Sequence, residues 1–380
     1  MDNKSTIKRY DKRYLMDKHI MNFIPYGKQT IDQDDIDLFI ETIKSDFLTT
    51  GLKVNEFEQK IYEQVNAKYC VSVSNGTAAL HLASLALLKK NDKVLTTPNS
   101  FLATSNSILY ADAKPIFVDI CEDGLIDLDI CEEYIKKDKT IKAIYAVSFS
   151  GKLLDQEKLK YLKTKYNIKI LEDNAHSMGA KLKYSDISIF SFHPVKHIVT
   201  GEGGAIVTND KDLYEKIKML RNHGQDDKHR MLSLGYNYRL SDISCTLGLS
   251  QIKKLDMFID KRQKIAKRYD ELFEGTIVKP LYSYTENSLY HLYVARIDFD
   301  KLDITKEQLI IKMRENNIGI QIHYKPINKQ PYYKQLGYGD EKTPNMDRYT
   351  KQCVTLPCFP LLSQDEQEYV VKTLLKILNG

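Results

Sequence analysis

Short apolar runs alternate with helical segments through the first half of the chain, and this alternation is the strongest constraint on its fold. The run at 70–74 passes directly into a helical pattern. Further apolar runs at 143–148 and 168–171 enclose another helical pattern at 156–166. Strands that alternate with helices are typical of a mainly parallel sheet covered by helices on both faces. The sequence therefore predicts an α/β fold.

The segment at 172–207 contains the residue types that bind an aldehyde cofactor covalently. Lys196 lies on a predicted turn between two apolar strands, where partial burial would lower the pKa of its amine. A neutral amine can form a Schiff base with an aldehyde. Asp173 follows the strand at 168–171, and we therefore expect it at the carboxyl end of that strand, where open α/β sheets bind ligands. His176 follows one turn later.

Taken singly, these residues have ordinary structural explanations. Most lysines are solvated, an acid after a strand is often a turn or capping residue, and a lone histidine is more often a packed structural residue. Their combination favours pyridoxal phosphate, because Asp173 can keep the pyridine nitrogen protonated and thereby make the ring an electron sink.

A second feature, at 75–77, is suited to bind phosphate. The apolar run ends in Asn75, Gly76 and Thr77, which begin a helix. Free amides at a helix N-terminus and a threonine hydroxyl can surround a phosphate group, and a glycine lets it approach the backbone. Because many strand-to-helix turns begin with Gly-Thr only as a cap, this motif alone does not identify a phosphate site.

Composition argues against several other classes of protein. The 56 basic and 51 acidic residues are mixed along the chain, and the net charge of +5 does not favour a nucleic-acid-binding protein. Residues 1–23 are basic but lack the apolar core of a signal peptide, so we expect a loosely ordered leader. No apolar stretch is long enough to span a bilayer, so we expect no membrane insertion. Six cysteines without CxxC spacing predict free thiols in a reducing cytoplasm, and we predict no metal site.

The motifs FSFHPVK, TGEGGAIVTN and GYNYRLSDI together resemble those of the DegT/DnrJ/EryC1/StrS family of nucleotide-sugar aminotransferases. The resemblance extends from about Ile24 to the C-terminus and is greatest for the pseudaminic-acid-pathway enzymes that act on UDP-4-keto sugars. It implies the α/β architecture of fold type I (aspartate aminotransferase-like) enzymes. That architecture comprises a large cofactor-binding domain, here at 24–255, and a long connecting helix with a smaller C-terminal α+β domain, here at 256–380.

The resemblance also implies roles for individual residues. Lys196 would be the catalytic residue that binds pyridoxal 5′-phosphate (PLP, or PMP in its amine form). The implied cofactor-binding residues are Asp173, His176, Gly76, Thr77, Phe101, Ser191 and Asn237. The implied substrate-binding residues are Thr50, Lys53, His193, Arg239, His323 and Tyr324. In a homodimer with shared active sites, Asn237 would reach the cofactor phosphate of the neighbouring subunit.

Several of these residues have structural alternatives that the sequence leaves open. Phe101 is either a ring stacked on the cofactor or a core residue at a helix start. The segment at 50–53 is otherwise a turn, and Arg239 otherwise caps a loop within its own subunit. The segment at 323–325 is otherwise a surface loop. His193 lines the pocket or only packs.

The local pattern also makes structural predictions outside the site. We expect a very long helix after GYNYRLSDI that ends near Phe273, and strands near 291–297 and 318–322. The segment between Gly179 and Ile187 is several residues shorter than the corresponding stretch of similar proteins, which indicates a trimmed hairpin.

The implied reaction is transfer of an amino group from L-glutamate to C4 of a UDP-linked 4-keto-6-deoxy sugar, giving a product of the UDP-4-amino-4,6-dideoxy-N-acetyl-altrosamine type. In some relatives histidine replaces the lysine and the enzyme is a dehydratase, so the presence of Lys196 favours transamination. His176, where many relatives carry glutamine, favours the acetamido sugar over a viosamine- or perosamine-type substrate. A non-catalytic PLP-binding protein also fits the motifs. A nicotinamide-dependent oxidoreductase does not, because no GxGxxG follows a first strand.

Overall fold

The computed structural model describes residues 23–380, so the predicted basic leader at 1–23 lies almost entirely outside the described residues. A seven-stranded sheet forms the centre of the larger part of the chain. Its strands are β1 (Tyr69–Val73), β2 (Lys93–Thr96), β3 (Lys114–Phe117), β4 (Ile141–Val147), β5 (Lys169–Asp173), β6 (Ile187–Ser191) and β7 (Gly204–Thr208). Their order is β1-β7-β6-β5-β4-β2-β3, and β7 runs antiparallel to the other six strands.

Helices cover both faces of this sheet. They are α1 (Gln33–Ile43), α2 (Leu52–Val65), α3 (Gly76–Leu87), α4 (Leu102–Tyr110), α5 (Leu128–Lys137), α6 (Gln156–Tyr166), α7 (Lys211–Arg221) and α8 (Asp242–Ile252). The core on one face joins the strands to α3, α4 and α7, and the cores on the other face join them to α5 and α6 and to α2 and α8. The mainly parallel, two-sided α/β sheet predicted from the alternation is confirmed.

Neighbouring residues of one strand supply both cores because their side chains point to opposite faces of the sheet. In β5, Ile170 packs in the core with α5 and α6, whereas Leu171 packs in the core with α3 and α4. Both side chains are fully buried, which explains why apolar residues occupy consecutive positions at 170–171, after the exposed Lys169 at the start of the strand. Asp173, the last residue of β5, therefore has a fixed position at the carboxyl end of this buried strand.

A smaller three-stranded antiparallel sheet lies towards the C-terminus, in the order β10-β9-β8. Its strands are β8 (Lys279–Pro280), β9 (Tyr293–Arg296) and β10 (Cys353–Leu356). The helices of this region are α9 (Leu255–Leu272), α10 (Lys306–Glu315), α11 (Pro331–Gln335), α12 (Pro344–Gln352) and α13 (Gln364–Asn379). A separate core joins this sheet to α9, α10 and α13. The proposed domain boundary at 255–256 stays a prediction.

The prediction of one very long helix before Phe273 is wrong, because α8 and α9 are separate helices joined at 253–254. Polar contacts with the first helix mark the break. Gln251 donates to the buried Asp35 carboxylate at 2.8 Å, and Lys254 pairs with the same carboxylate at 2.9 Å. α8 thus packs against α1 and α2, whereas α9 packs in the core of the smaller sheet.

The strand predicted near 318–322 is also absent as a regular element. Ile318 and Gln321 form only single bridges, to Ile24 and Thr355 respectively. The predicted strand at 291–297 is confirmed in shorter form as β9. Between residues 23 and 380, no helix combines the length and the apolarity needed to cross a membrane.

Candidate active site

A cavity of about 920 Å³ opens at the carboxyl ends of the parallel strands. Val147 ends β4, Asp173 ends β5 and Ser191 ends β6, and all three line it. The N-terminus of α3 and a loop of the smaller part of the chain complete its wall. Parallel α/β sheets bind ligands at this edge, so the cavity lies where the sequence predicted the site.

Lys196 lies in this cavity, on the segment between β6 and β7, as predicted. Burial lowers the pKa of its amine to about 7, the nearby Asp173 carboxylate opposes that shift, and the Arg262 guanidinium adds to it. The lysine Nζ lies 3.4 Å from Nε2 of His291. A large share of the amine is therefore neutral near neutral pH, which is the form that reacts with an aldehyde.

Asp173 is held in one orientation by two donors. Its carboxylate accepts hydrogen bonds from Oγ1 of Thr104 at 2.6 Å and from the amide of Ala175 at 3.1 Å. Thr104 in turn lies 2.6 Å from the hydroxyl of Ser100. Burial raises the pKa of Asp173, while the hydrogen bonds act in the opposite direction. The carboxyl group thus faces the cavity in a dry, fixed position.

Four histidines surround the lysine, and burial lowers the pKa of each. The pKa values of His197 and His323 fall to about 3, and those of His176 and His291 lie well below the usual range. The backbone amide of Ser150 donates to Nδ1 of His176, so the proton of this ring is on Nε2, which lies 3.1 Å from the Tyr324 hydroxyl. The four rings are therefore neutral at neutral pH.

The N-terminus of α3 forms a cradle of backbone donors. The Asn75 side chain caps the helix through the amide of Ala78 at 2.8 Å. Within residues 23–380, the amides of Gly76 and Thr77 donate to no protein acceptor. A Cβ atom at Gly76 would lie 3.0 Å from Cβ and 3.2 Å from Oγ of Ser191. The glycine thus brings two free amides and a serine hydroxyl together, a donor set that suits a phosphate group.

Phe101 stands at the start of α4, and 58% of its surface is exposed. Its ring lines the cavity 6.2 Å from the ring of Tyr324. The alternative that Phe101 is a core residue is therefore wrong. An exposed apolar ring at the cavity wall is available to stack on a flat ligand.

Comparison with known proteins agrees with this arrangement. Residues 29–375 match the DegT/DnrJ/EryC1/StrS aminotransferase family. This chain belongs to that family. The assignment confirms the predicted resemblance, the predicted class of enzyme, a nucleotide-sugar aminotransferase, and the predicted cofactor, pyridoxal phosphate.

Several named proteins align with nearly the whole length of this aminotransferase. The UDP-4-amino-4,6-dideoxy-N-acetyl-beta-L-altrosamine transaminase of Campylobacter jejuni (strain 81-176) is 40% identical over 371 residues, which cover 93% of this chain and 97% of that protein. Helicobacter pylori PseC, an aminotransferase involved in the biosynthesis of pseudoaminic acid, superposes with a TM-score of 0.90 and 30% identity over 94% of this chain and all of that one. A putative sugar aminotransferase from Streptococcus pneumoniae, solved in its PMP form, superposes with a TM-score of 0.86 and 26% identity over 94% of this chain and 98% of that one. The likeness to PseC confirms the predicted fold type I architecture.

The cavity of this aminotransferase contains most of the predicted site residues. They are Gly76, Thr77, Phe101, Asp173, His176, Ser191, His193, Lys196, His323 and Tyr324. The donors fit pyridoxal phosphate, since a fixed carboxyl, a lysine amine of lowered pKa and a backbone phosphate cradle face one space. The segment at 323–325 is thus not simply a surface loop, although Lys325 is exposed and lines a different cavity.

Four predicted site residues lie outside this cavity. Thr50 is exposed, and Lys53 pairs with Glu56 at 3.0 Å. Asn237 is exposed on the loop before α8. Arg239 donates to the Asn222 side chain of its own chain, which agrees with the alternative that Arg239 caps a loop within its own subunit. A single chain does not bring these four residues to the lysine.

Sequence reasoning missed several residues of the cavity wall. Thr104 follows Phe101 by three residues on α4 and could have been found from helical spacing. Tyr238 lies in the motif GYNYRLSDI, between Asn237 and Arg239, and could have been found there, whereas Tyr26 and His291 line the cavity from segments that no local pattern marks. Their positions depend on tertiary packing.

Proposed function

We propose that this aminotransferase moves an amino group from L-glutamate to C4 of a UDP-linked 4-keto-6-deoxy sugar, giving a product of the UDP-4-amino-4,6-dideoxy-N-acetyl-altrosamine type. The main observation in support of this reaction is that the Lys196 amine faces the Asp173 carboxyl in a large cavity. The choice of sugar is supported by the Campylobacter jejuni relative, whose name states this product and of which this chain covers 97%. L-glutamate is the amino donor that the resemblance to the family implies.

The neutral Lys196 amine would hold the cofactor covalently and later move a proton within the site. When bound, pyridoxal phosphate supplies an electron sink for the charge left by a broken C–H bond. Asp173 would keep the proton on the pyridine nitrogen, because Thr104 and Ala175 hold its carboxyl in one direction. These contacts come from uncharged donors, so they leave the charge of Asp173 available to act on the ligand.

Other residues that line the cavity would make the remaining contacts with the cofactor. The free amides of Gly76 and Thr77 would bind the phosphate together with the Ser191 hydroxyl. Phe101 would cover one face of the ring and exclude water from it. His176 is fixed by Ser150 and by Tyr324, so it would contact the ring with a defined N–H direction.

The sugar nucleotide would enter from the side of His193, His323 and Tyr324. His193 is exposed at the rim, whereas His323 is buried and bonds to Thr355 at 3.0 Å. Tyr324 presents an aromatic face between His176 and Phe101. A polar rim around an aromatic wall suits a sugar whose hydroxyl groups need fixed partners.

A symmetric homodimer would explain the four residues outside the cavity. Exposed apolar side chains lie close to them in sequence, on α1, on the loop before α2 and on the loop before α8. They are Ile36, Phe39, Ile40, Ile43, Phe47, Leu48, Leu52, Met231, Leu232 and Leu234. A surface of this kind is typical of a protein interface. In the dimer, Asn237 would bind the partner's cofactor phosphate, and Thr50, Lys53 and Arg239 would serve the partner's substrate.

We also propose that the enzyme acts in the cytoplasm. All six cysteines lie within the described residues and none is paired, and five of them are buried. Free thiols are the normal state of cysteine in a reducing compartment. Biosynthesis from a nucleotide-activated sugar is consistent with that location.

The experiment that tests the function offers the purified enzyme and L-glutamate a panel of nucleotide-linked 4-keto sugars, with product mass as the readout. The panel includes UDP-linked sugars with the acetamido group and UDP-, dTDP- and GDP-linked 4-keto-6-deoxy hexoses without it. We expect the acetamido UDP sugar to give the highest kcat/KM and a product that carries nitrogen from labelled glutamate. Preference for a hexose without the acetamido group would instead indicate a viosamine- or perosamine-type enzyme. No glutamate-dependent product with any sugar would indicate a non-catalytic cofactor-binding protein.

A further inference from the structure

The largest fully buried side chain of the described residues belongs to Arg262, on α9, which is 1% exposed. Within residues 23–380, no carboxylate contributes to its environment, and burial is the leading influence on its pKa, in the downward direction. Arginine side chains are almost never fully buried without a carboxylate partner, because the loss of water is costly. Packing alone therefore does not explain why Arg262 is buried.

Three carbonyl oxygens surround the Arg262 guanidinium. Nη1 donates to the carbonyl oxygens of His291 at 3.1 Å and of Cys358 at 2.5 Å. Nη2 lies 3.5 Å from the carbonyl oxygen of Val195, the residue directly before Lys196. These oxygens belong to the lysine segment, to the segment before β9 and to the segment after β10. Arg262 thus joins the wall that bears the lysine to the wall formed by the smaller sheet.

Basic groups dominate the surroundings of the lysine amine. The titratable groups besides Arg262 whose charge acts on the Lys196 amine, or is acted on by it, are Asp173, His176, His197, His291 and His323. Glu202 and Tyr324 also line the cavity, and burial raises the pKa of the Tyr324 hydroxyl, so Asp173 is the acidic group that acts on the amine. Since arginine keeps its charge at every accessible pH, Arg262 is a permanent positive charge beside bases that can each accept a proton.

We propose that Arg262 is a positioning residue of the active site whose fixed positive charge disfavours protonation of the Lys196 amine, and so adds to the effect of burial in keeping the amine reactive towards an aldehyde. The inference deepens the proposed function, because a neutral amine is what the cofactor requires. A second positive charge in the same dry region is unfavourable, so protonation of Lys196 is opposed by the charge already present. Burial is the largest influence on the pKa of Lys196, the Asp173 carboxylate opposes it, and Arg262 acts in the same direction as burial on both Lys196 and His197.

The side-chain contacts indicate why an arginine suits this position. Its planar fork donates to carbonyl oxygens in different directions, so the charge is held without a carboxylate that would neutralise it. A carboxylate partner would cancel the field at Lys196. Carbonyl oxygens accept from the terminal nitrogens and leave the net charge in place, whereas the buried Nε has no hydrogen-bond partner among residues 23–380.

The test measures the protonation of Lys196 directly. Full-length protein freed of cofactor is labelled with a trace of acetic anhydride between about pH 5 and pH 11, and peptide mass spectrometry gives the labelled fraction of Lys196. Only the neutral amine reacts, so labelling rises with pH through the pKa. The variants are Arg262→Gln, which keeps donors without charge, and Arg262→Lys, which can carry a charge. Lys267, an exposed lysine on the same helix, is the internal control in every sample.

We expect the wild-type midpoint near 7 and an upward shift of about one pH unit or more in Arg262→Gln. Arg262→Lys should lie between wild type and Arg262→Gln, because a lysine buried at this position would be only partly charged near neutral pH. The labelled fraction of Lys267 at each pH should be the same in every variant. An unchanged Lys196 midpoint in folded Arg262→Gln would overturn the proposal and leave Arg262 as a structural clamp. If Arg262→Gln does not fold, Arg262→Met is the second neutral variant. Because the labelling uses neither sugar nor glutamate, a failed sugar assay leaves this result intact.

Discussion

Two parts of the molecule contain the predicted site residues, and their surroundings differ. The inner wall, defined as the residues around Lys196 and Asp173, lies at the ends of buried strands and is closed by the chain itself. The outer segments, defined as residues 47–53 and 231–239 without Tyr238, lie outside the cavity and expose large apolar side chains. Leu52 is 73% exposed and Leu234 is 75% exposed, values that are unusual for leucine.

This difference indicates that one chain completes only the inner wall. Inner-wall residues bind one another, as in the contacts of Asp173 with Thr104 and of His176 with Tyr324. In the outer segments, Asn237 is exposed, and the partly exposed Arg239 bonds to Asn222 at the end of α7 and not to a group of the cavity. If the outer segments contribute to the reaction, they must do so in the active site of a second subunit, across the dimer interface. The predictions below test this division.

The largest effect is expected for Lys196→Ala. Loss of the amine removes both covalent binding of the cofactor and the proton carrier, so amination should fall by roughly 1,000-fold or more. The measurement is glutamate-dependent product formation, together with the loss of the visible absorption of bound cofactor. Lys267→Ala removes an exposed lysine from α9 and is the matched control, which should keep the parent rate. Near-parent activity in Lys196→Ala would contradict the assignment of the inner wall.

The next effect concerns Asn237 and tests the outer segments. Asn237→Ala should lower kcat/KM by about 10- to 100-fold, because one hydrogen bond to a charged phosphate is lost. When Asn237→Ala and Lys196→Ala proteins are unfolded together and refolded, half of the dimers should be mixed. Each mixed dimer would contain one site with both native residues, so the mixture should regain about one quarter of the parent rate.

The refolded mixture distinguishes the two arrangements directly. If Asn237 served its own chain, neither site of a mixed dimer would be intact, and the mixture would show no more than the residual activity of Asn237→Ala. Refolding of each single variant alone is the control for spontaneous recovery. A monomeric protein by sedimentation at assay concentration would also contradict the shared site.

The inner wall was predictable because local patterns determine its position. Asp173 follows an apolar strand that is buried on both faces, and a strand of that kind delivers its last residue to the sheet edge. Gly76 and Thr77 follow from the helix N-terminus that they begin. In both cases the chemistry depends on residues that are neighbours in sequence.

The rest of the site depends on contacts that no local pattern describes. His291 and Arg262 reach the lysine only because β9 and α9 pack against its segment. The break between α8 and α9 was missed because Gln251 and Lys254 look like ordinary helical polar residues until α1 provides their partners. Long-range polar contacts of this kind override helical periodicity.

A smaller effect is expected for Gly76→Ala, which tests the phosphate cradle of the inner wall. The added Cβ would crowd Cβ of Ser191 at 3.0 Å, so the serine must shift away from the free amides. We expect the Kd for pyridoxal phosphate to rise about tenfold, measured by titration of the apoprotein. Pyridoxal, which has no phosphate, is the matched ligand control, and its Kd should not change. An equal loss of affinity for both ligands would contradict a phosphate role for Gly76.

The smallest effect is expected for Tyr324→Phe, which probes the contact between the two sides of the inner wall. The variant keeps the aromatic ring but removes the hydroxyl that lies 3.1 Å from Nε2 of His176. Because that nitrogen carries the proton and is buried, its donor would lose its partner, and the free energy of unfolding should fall by about 1 kcal/mol. Urea unfolding measures this change, with Tyr332→Phe as the control, since Tyr332 is 61% exposed. Equal stability of both variants would mean that the two sides of the wall are held together without this hydrogen bond.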